Sequence, residues 1–479
     1  MLTFAIHNTI TKVAGPDKSL AIVWHLLSYQ DNSQAFARRF KGRKPKPTTK
    51  SFLDRRNYTF LTGLLPRVLP TLDTYGVPYT LLDQRPRVDI DPARMDFNLH
   101  GIELRPYQEK AIQDFLAPRT LGAQGLPWQG RGVAHLATGA GKTEIAIAIA
   151  KGLARATLFL THRTNLLTQT ARRFMDRLPH LKNRIGVLGG GMFEPKLVTV
   201  ATVQTLWSHI KRHPQNAREF LGQFQVLIVD EAHRSGAKQF YAPATLCIGA
   251  PFRLALTATP FMKGNAADDM FLMGTTGPVV ARVTNGELIR DGVLARPFFK
   301  FLPVTAPDLH HLSNWRDVYE HGIIYNRLRN ELVARQALSL TNMGKKTLVV
   351  VHEVAHGQLL EELIRDAGVR VRFVAGKDTH EEREQALSQV RRGKVDVLVA
   401  TNIFDEGIDV KDIAAVILAA GNKSAPALFQ RTGRAIRAKE GDENYAIIID
   451  FLDQTHPILE RHARARYELV RAEDGFEIL

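Results

Sequence analysis

The sequence predicts an α/β protein: two tandem blocks of parallel sheet, each covered by helices on both faces, behind a small N-terminal α+β domain. Three observations carry that expectation. Short β-branched runs alternate with helical stretches from about Arg131 to Asp450, the pattern breaks once between about Met273 and Lys345, and a glycine-rich turn joins one run to a helix.

The expected boundaries are 1–100 for a basic N-terminal domain, 101–275 for the first block, 276–340 for a connecting segment, 341–456 for the second block and 457–479 for a closing helix. In the N-terminal region LLPRVLPTLDTYGVPYTLLD reads as helix, turn and strand. The first block holds the runs GVAHLA, ATLFLT, LVTVAT, VLIVDE and FRLALTAT. The second holds TLVVVH, VRFVAG, VDVLVAT, AAVILA and YAIIID. Between them Gly274, Gly277, Pro278, Gly286, Gly292 and Pro297 interrupt the pattern, which places the domain boundary there.

Lysine and arginine outnumber aspartate and glutamate by 64 to 48, and the resulting charge of +16 is what a polyanion binder carries. Cys247 is the single cysteine, so an internal disulfide and a thiolate metal cluster are excluded, and a reducing, cytoplasmic compartment is expected. Apolar runs fall short of the ~18 residues a membrane helix needs, so a soluble, unprocessed chain with no membrane partner is expected. Between Arg38 and Arg56 the basic residues Arg38, Arg39, Lys41, Arg43, Lys44, Lys46, Lys50, Arg55 and Arg56 face the single acid Asp54, with Phe36, Phe40 and Phe52 interleaved. Pro45 and Pro47 make this a loop. It suits either an arm that tracks phosphates or a solvated tether with its aromatic rings packed inward.

In LATGAGKTEIAIAIA the residues Thr138, Gly139, Ala140, Gly141, Lys142 and Thr143 lie between an expected strand and an expected helix. That is the context of a phosphate-binding loop: glycines let backbone amides approach phosphates, Lys142 offsets their charge, and the Thr143 hydroxyl can ligate magnesium. VLIVDEAH ends a strand with Asp230 and Glu231 side by side. Asp230 suits a direct or second-sphere magnesium partner, and Glu231 is placed to orient and deprotonate an attacking water. FQRTGRAIR supplies Gln430 together with Arg431, Arg434 and Arg437, and the arginines are cations a second domain can bring to a transferring phosphate.

The chain resembles superfamily 2 helicases over nearly its whole length. LRPYQ (104 to 108) looks like the adenine-contacting element, 137 to 143 like motif I, 161 to 166 like motif Ia, ATVQTL (201 to 206) like motif Ib, Asp230 to His233 like a DEAH motif II and LTATP (256 to 260) like motif III. VLVATNIFDEGIDV (397 to 410) resembles motif V, and QRTGRAIR resembles motif VI. The resemblance implies two RecA-like domains holding ATP and magnesium, with nucleic acid crossing both. It implies Arg105 and Gln108 at the base, Thr257 and Thr259 coupling hydrolysis to movement, and Gly407 and Asp409 toward the nucleotide. Arg163, Thr202, Gln204 and Thr401 would touch nucleic acid, and Arg434 and Arg437 are the arginine-finger candidates. His352 and His356 read as surface or packing histidines.

Within the superfamily the chain is most similar to UvsW-type phage helicases, and more distantly to XPB-type and RecG-like motors, through 60 to 72, 286 to 299 and 321 to 333. This implies an ATP-dependent DNA helicase acting on forked or junction DNA as a monomer, with RNA–DNA hybrids a second substrate. The alternatives are a double-strand translocase, the motor of a restriction complex, an RNA helicase, and a catalytically idle clamp.

Overall fold

The computed structural model describes residues 1–31, 48–86, 88, 90–162, 164–232, 238–258, 266–376, 378–401, 413–421 and 444–479. Two compact units emerge, one built from Met1–Ala137 and Gly141–Val283, the other including Thr284–Leu479.

The first unit opens with a four-stranded sheet in the order Thr59–Leu61, Ile10–Ala14, Leu2–Ile6, Tyr79–Asp83. Leu2, Phe4 and Ile6 alternate inward along their strand, and helix Leu65–Thr74 covers them with Leu65, Val68, Leu69 and Leu72. Helix, turn and strand follow in the expected order, with Gly76 at φ 62 closing the helix before Tyr79–Asp83. This sheet does not have a core to itself. Trp128 and Met270 belong to the same buried cluster, Phe52 meets Phe271 edge-on at 4.5 Å, and a β-carbon on Gly63 would overlap the Met273 carbonyl. Phe52 therefore packs inward, while Phe36, Phe40 and the basic residues 38 to 46 lie outside the described residues.

The remainder of the first unit is an eight-stranded sheet in the order Met192–Glu194, Ile185–Gly189, Val198–Thr202, Thr157–Thr161, Val226–Val229, Phe252–Thr257, Arg131–Leu136, Val279–Val283. All neighbours run parallel except the pair Ile185–Gly189 and Met192–Glu194. Its central strands are buried on both faces, which is why they read as unbroken apolar runs.

The second unit has a seven-stranded parallel sheet in the order Val371–Val374, Val397–Ala400, Thr347–Val350, Ala415–Leu418, Tyr445–Asp453, Arg296–Val304, Glu477–Ile478. The expected fold class, two tandem RecA-like sheets, is what these strands form. The expected connecting segment 276–340 is not a separate element, because Val279–Val283 completes the first sheet and Arg296–Val304 enters the second. Likewise the segment from 457 contains helix Pro457–Ala472 and then an edge strand, Glu477–Ile478.

A buried ionic cluster fixes the end of strand Tyr445–Asp453. Arg329, on helix Arg327–Asn342, donates from Nε to Asp453 Oδ1 at 2.8 Å and from Nη1 to the Ala419 carbonyl at 2.8 Å. Arg466, on the terminal helix, grips Asp450 with Nε and Nη2 at 2.8 and 2.9 Å. Such pairs cost desolvation but demand one geometry, so they lock two helices to one strand end. His356 is fully buried against Asn330 Oδ1 at 2.9 Å, and burial pulls its pKa down to about 3. It is a neutral packing histidine, whereas His352 lies at the surface.

Candidate functional site

Because the strands of the first large sheet are parallel, their carboxyl ends gather along one edge. Strand Arg131–Leu136 delivers the glycine-rich loop there. Gly139 and Gly141 take φ 93 and 77, left-handed values that disfavour any residue with a β-carbon, and Ala140 between them is fully buried. A β-carbon on Gly141 would also collide with the Gln108 amide, so the loop and helix Pro106–Leu116 are fitted to one another. Helix Lys142–Leu153 starts directly after Gly141, aiming its first amides across the loop. Lys142 Nζ lies 3.5 Å from the Leu136 carbonyl, and Thr143 follows it in the first turn.

Strand Val226–Val229 brings Asp230 and Glu231 to the same edge. Asp230 Oδ1 accepts from the Glu231 amide at 2.9 Å. Burial first, and the neighbouring Glu231 second, push the Asp230 carboxyl up to about 7 against the downward pull of Lys142. A half-buried carboxylate so disfavoured as an anion fits a divalent cation, and with the Thr143 hydroxyl it could hold magnesium. Glu231 sits at φ 50, a left-handed conformation that costs a residue with a β-carbon about 1 kcal/mol or more.

Gln108 is buried and its Oε1 accepts from the Arg105 amide at 2.9 Å, so its acceptor caps its own helix while its amide group lies over Gly141; Arg105 itself is exposed. Thr257 ends strand Phe252–Thr257, fully buried and level with His135. Thr202 is buried, and its hydroxyl accepts from the Thr205 amide at 3.3 Å to cap helix Val203–Arg212. Gln204 is exposed and donates to the His162 carbonyl at 2.9 Å, and Thr401 is buried at the end of Val397–Ala400. Arg163, Thr259, Gly407, Asp409, Gln430, Arg434 and Arg437 lie outside the described residues, as do Arg38, Arg39, Lys41, Arg43 and Lys44.

Residues 101–262 match the family of the type III restriction enzyme res subunit, and residues 326–439 match the helicase conserved C-terminal domain. The DNA 3'-5' translocase XPB2 of Sulfurisphaera tokodaii is 27% identical over 388 residues, which span 73% of this chain and 82% of that protein. The ATP-dependent DNA helicase uvsW of Enterobacteria phage T4 is 26% identical over 402 residues, 82% of this chain and 78% of its own. The chain is a superfamily 2 helicase. A fragment assigned to the HsdR subunit of a type I restriction enzyme from Vibrio vulnificus shares the helicase's fold, with a TM-score of 0.58 at 18% identity over 90% of this chain and 75% of that one. Among the described residues, no helix of the helicase is long and apolar enough to cross a membrane.

One residue of this helicase edge had no sequence signal. His135, in the loop strand, reaches the Ala258 carbonyl with Nε2 at 3.1 Å. A carbonyl only accepts, so Nε2 carries the proton. Burial, then Arg282, holds its pKa below the ordinary 6.5, leaving the ring neutral at pH 7. The strand that carries the glycine-rich loop is thereby tied to the segment around Thr257.

The Asp230 environment leads to a stability prediction. With a folded pKa of about 7 above the ordinary 3.8, this group's contribution is fully present below 3.8 and is lost as pH rises through 7. Part of Asp230 reaches solvent, so screening reduces the effect. Asp230→Asn should therefore stabilise the nucleotide- and metal-free helicase by roughly 1 to 2 kcal/mol at pH 8 while abolishing hydrolysis. Melting curves in EDTA should show that gap shrinking as pH falls toward 5. A variant less stable than the parent at pH 8 would refute the unpaired-carboxylate account.

Proposed function

We propose that this helicase hydrolyses ATP to unwind or branch-migrate forked or junction DNA in the cytosol, acting as a monomer. The observation that carries the reading is the convergence of Lys142, Asp230 and the left-handed glycine loop on one sheet edge. In this reading the amides after Gly141 and the Lys142 ammonium bind the β and γ phosphates, and Arg105 and Gln108 contact the base. Magnesium, held by Thr143 and Asp230, would supply Lewis-acid stabilisation of phosphoryl oxygens. Glu231 orients the attacking water and accepts its proton.

Arg434 and Arg437, with Gln430, Gly407 and Asp409, supply the second block's share of the nucleotide contacts. Arg163, Gln204, Thr401 and the arm from Arg38 to Lys44 hold the nucleic acid; Thr202 contributes by capping its helix. Thr257 and Thr259, with His135, couple hydrolysis to movement. The names of the XPB2 and uvsW relatives favour DNA over RNA. The res-subunit family favours one rival, the motor of a restriction complex, in this reading one that runs along duplex without parting its strands.

ATP turnover measured on single strands, blunt duplex, forks, four-way junctions and RNA–DNA hybrids separates these readings. Forks and junctions should stimulate most. Equal or greater stimulation by blunt duplex assigns the rival, and greater stimulation by RNA removes the DNA reading.

A further inference from the structure

At the opposite edge of the same sheet lies a cavity of about 540 Å³, lined by Asn8, Asp83, Arg85, Arg131, Pro251 and Phe252 among others. Arg131 begins the strand whose far end becomes the phosphate loop, so the cavity is separated from that loop by five residue steps, about 17 Å. Both walls belong to the first unit: the N-terminal sheet supplies Asn8, Asp83 and Arg85, and the large sheet supplies Arg131 and Phe252.

Arg131 is 2% exposed. Its Nη1 donates to the Asn8 carbonyl at 2.7 Å and its Nε reaches the Thr276 carbonyl at 3.4 Å, while Nη2 is buried without a hydrogen-bond partner. Asp83 is the carboxylate lining the cavity, and both its oxygens are already taken by Arg85 at 2.8 Å. Arg253, one strand over, shows how the same fold satisfies a buried guanidinium: its three nitrogens donate to the carbonyls of Ala250, Ala244, Thr275 and Cys247. Arg131 lacks that treatment. Asn8 Oδ1 and Trp128 Nε1 nearby are also buried without partners, and the guanidinium groups of Arg131 and Arg85 lie 5.2 and 5.5 Å from the Trp128 ring centre.

A buried cation with an open donor is costly unless an anion completes it. Here the lining carries two arginines against one carboxylate, and the donors are the guanidinium type that matches phosphate oxygens. Of the remaining lining residues, Gln129 is polar and Pro86, Val88, Pro127, Pro251 and Phe252 are apolar. Volume and lining are those of a small-molecule site. We propose that this cavity binds a phosphate group, free or carried on a nucleoside, with Arg131 as its buried anchor. The site is distinct from the motor's nucleotide loop and sits at the root of the strand that carries it.

Thermal melting of the full chain at constant ionic strength, with sodium chloride exchanged for inorganic phosphate or for AMP, tests this. The melting temperature should rise by roughly 2 °C or more at 20 mM probe. A larger rise with AMP assigns the apolar walls to a nucleoside, and equal rises assign the site to free phosphate. Arg131→Met should abolish the increment that the parent shows. Arg85→Ala, which leaves Asp83 unpaired beside Arg131, should at least halve it and decides the matter if Arg131→Met does not fold. No rise in the parent, or an undiminished rise in either folded variant, overturns the proposal.

Discussion

Lys142→Ala should reduce ATP turnover at least about 10³-fold at saturating DNA while leaving melting unchanged within about 0.5 kcal/mol. The two halves of that expectation come from different facts. Lys142 is the first residue of helix Lys142–Leu153, and its ammonium makes one long contact, 3.5 Å, with the Leu136 carbonyl. It also attracts the half-exposed Asp230 carboxyl, an attraction that solvent screens, while a cation in the first turn of a helix opposes the macrodipole; the two roughly offset, so little native stability rests on it. Charge on the β and γ phosphates would rest on it heavily. Turnover near that of the parent would remove the assignment of this loop to ATP. A large loss of stability would make Lys142 a structural residue instead.

The site legible in the sequence is the part written by local spacing. Gly139, Gly141, Lys142 and Thr143 are neighbours in the chain, and the strand before and helix after them fix their geometry. Asp230 and Glu231 are likewise readable, as the end of an apolar run. The strands of both large sheets were legible for the same reason: burial on two faces produces continuous apolar segments.

What escaped depends on partners distant in the chain. His135 binds a carbonyl 123 residues away, and the Arg131 cavity is closed by residues from another sheet. Strands Val279–Val283 and Arg296–Val304 were hidden because they lie at or near sheet edges, where Pro278, Pro297 and Pro303 are tolerated and polar residues interrupt the pattern. Thr202 has a local use that its motif did not show: a threonine ahead of a helix caps it.

Glu231→Gln should bind ATP with parental affinity and hydrolyse it about 10² to 10³ times more slowly, because only the proton acceptor for water is removed. The backbone makes this variant unusually clean to interpret. Glu231 holds φ 50, and glutamine has the same β-carbon and shape, so whatever strain is stored there is unchanged. Glu231→Gly, by contrast, should relax the strain and stabilise the protein by about 1 kcal/mol while losing hydrolysis to a similar extent. Equal stability for Glu231→Gln and the parent, together with higher stability for Glu231→Gly, would separate the cost of the conformation from the chemistry it serves. Single-turnover hydrolysis, nucleotide binding by equilibrium titration and urea melts measure the three quantities. If nucleotide affinity fell with Glu231→Gln, the carboxylate would belong to ground-state binding, and water activation would have to be sought in another residue of this edge.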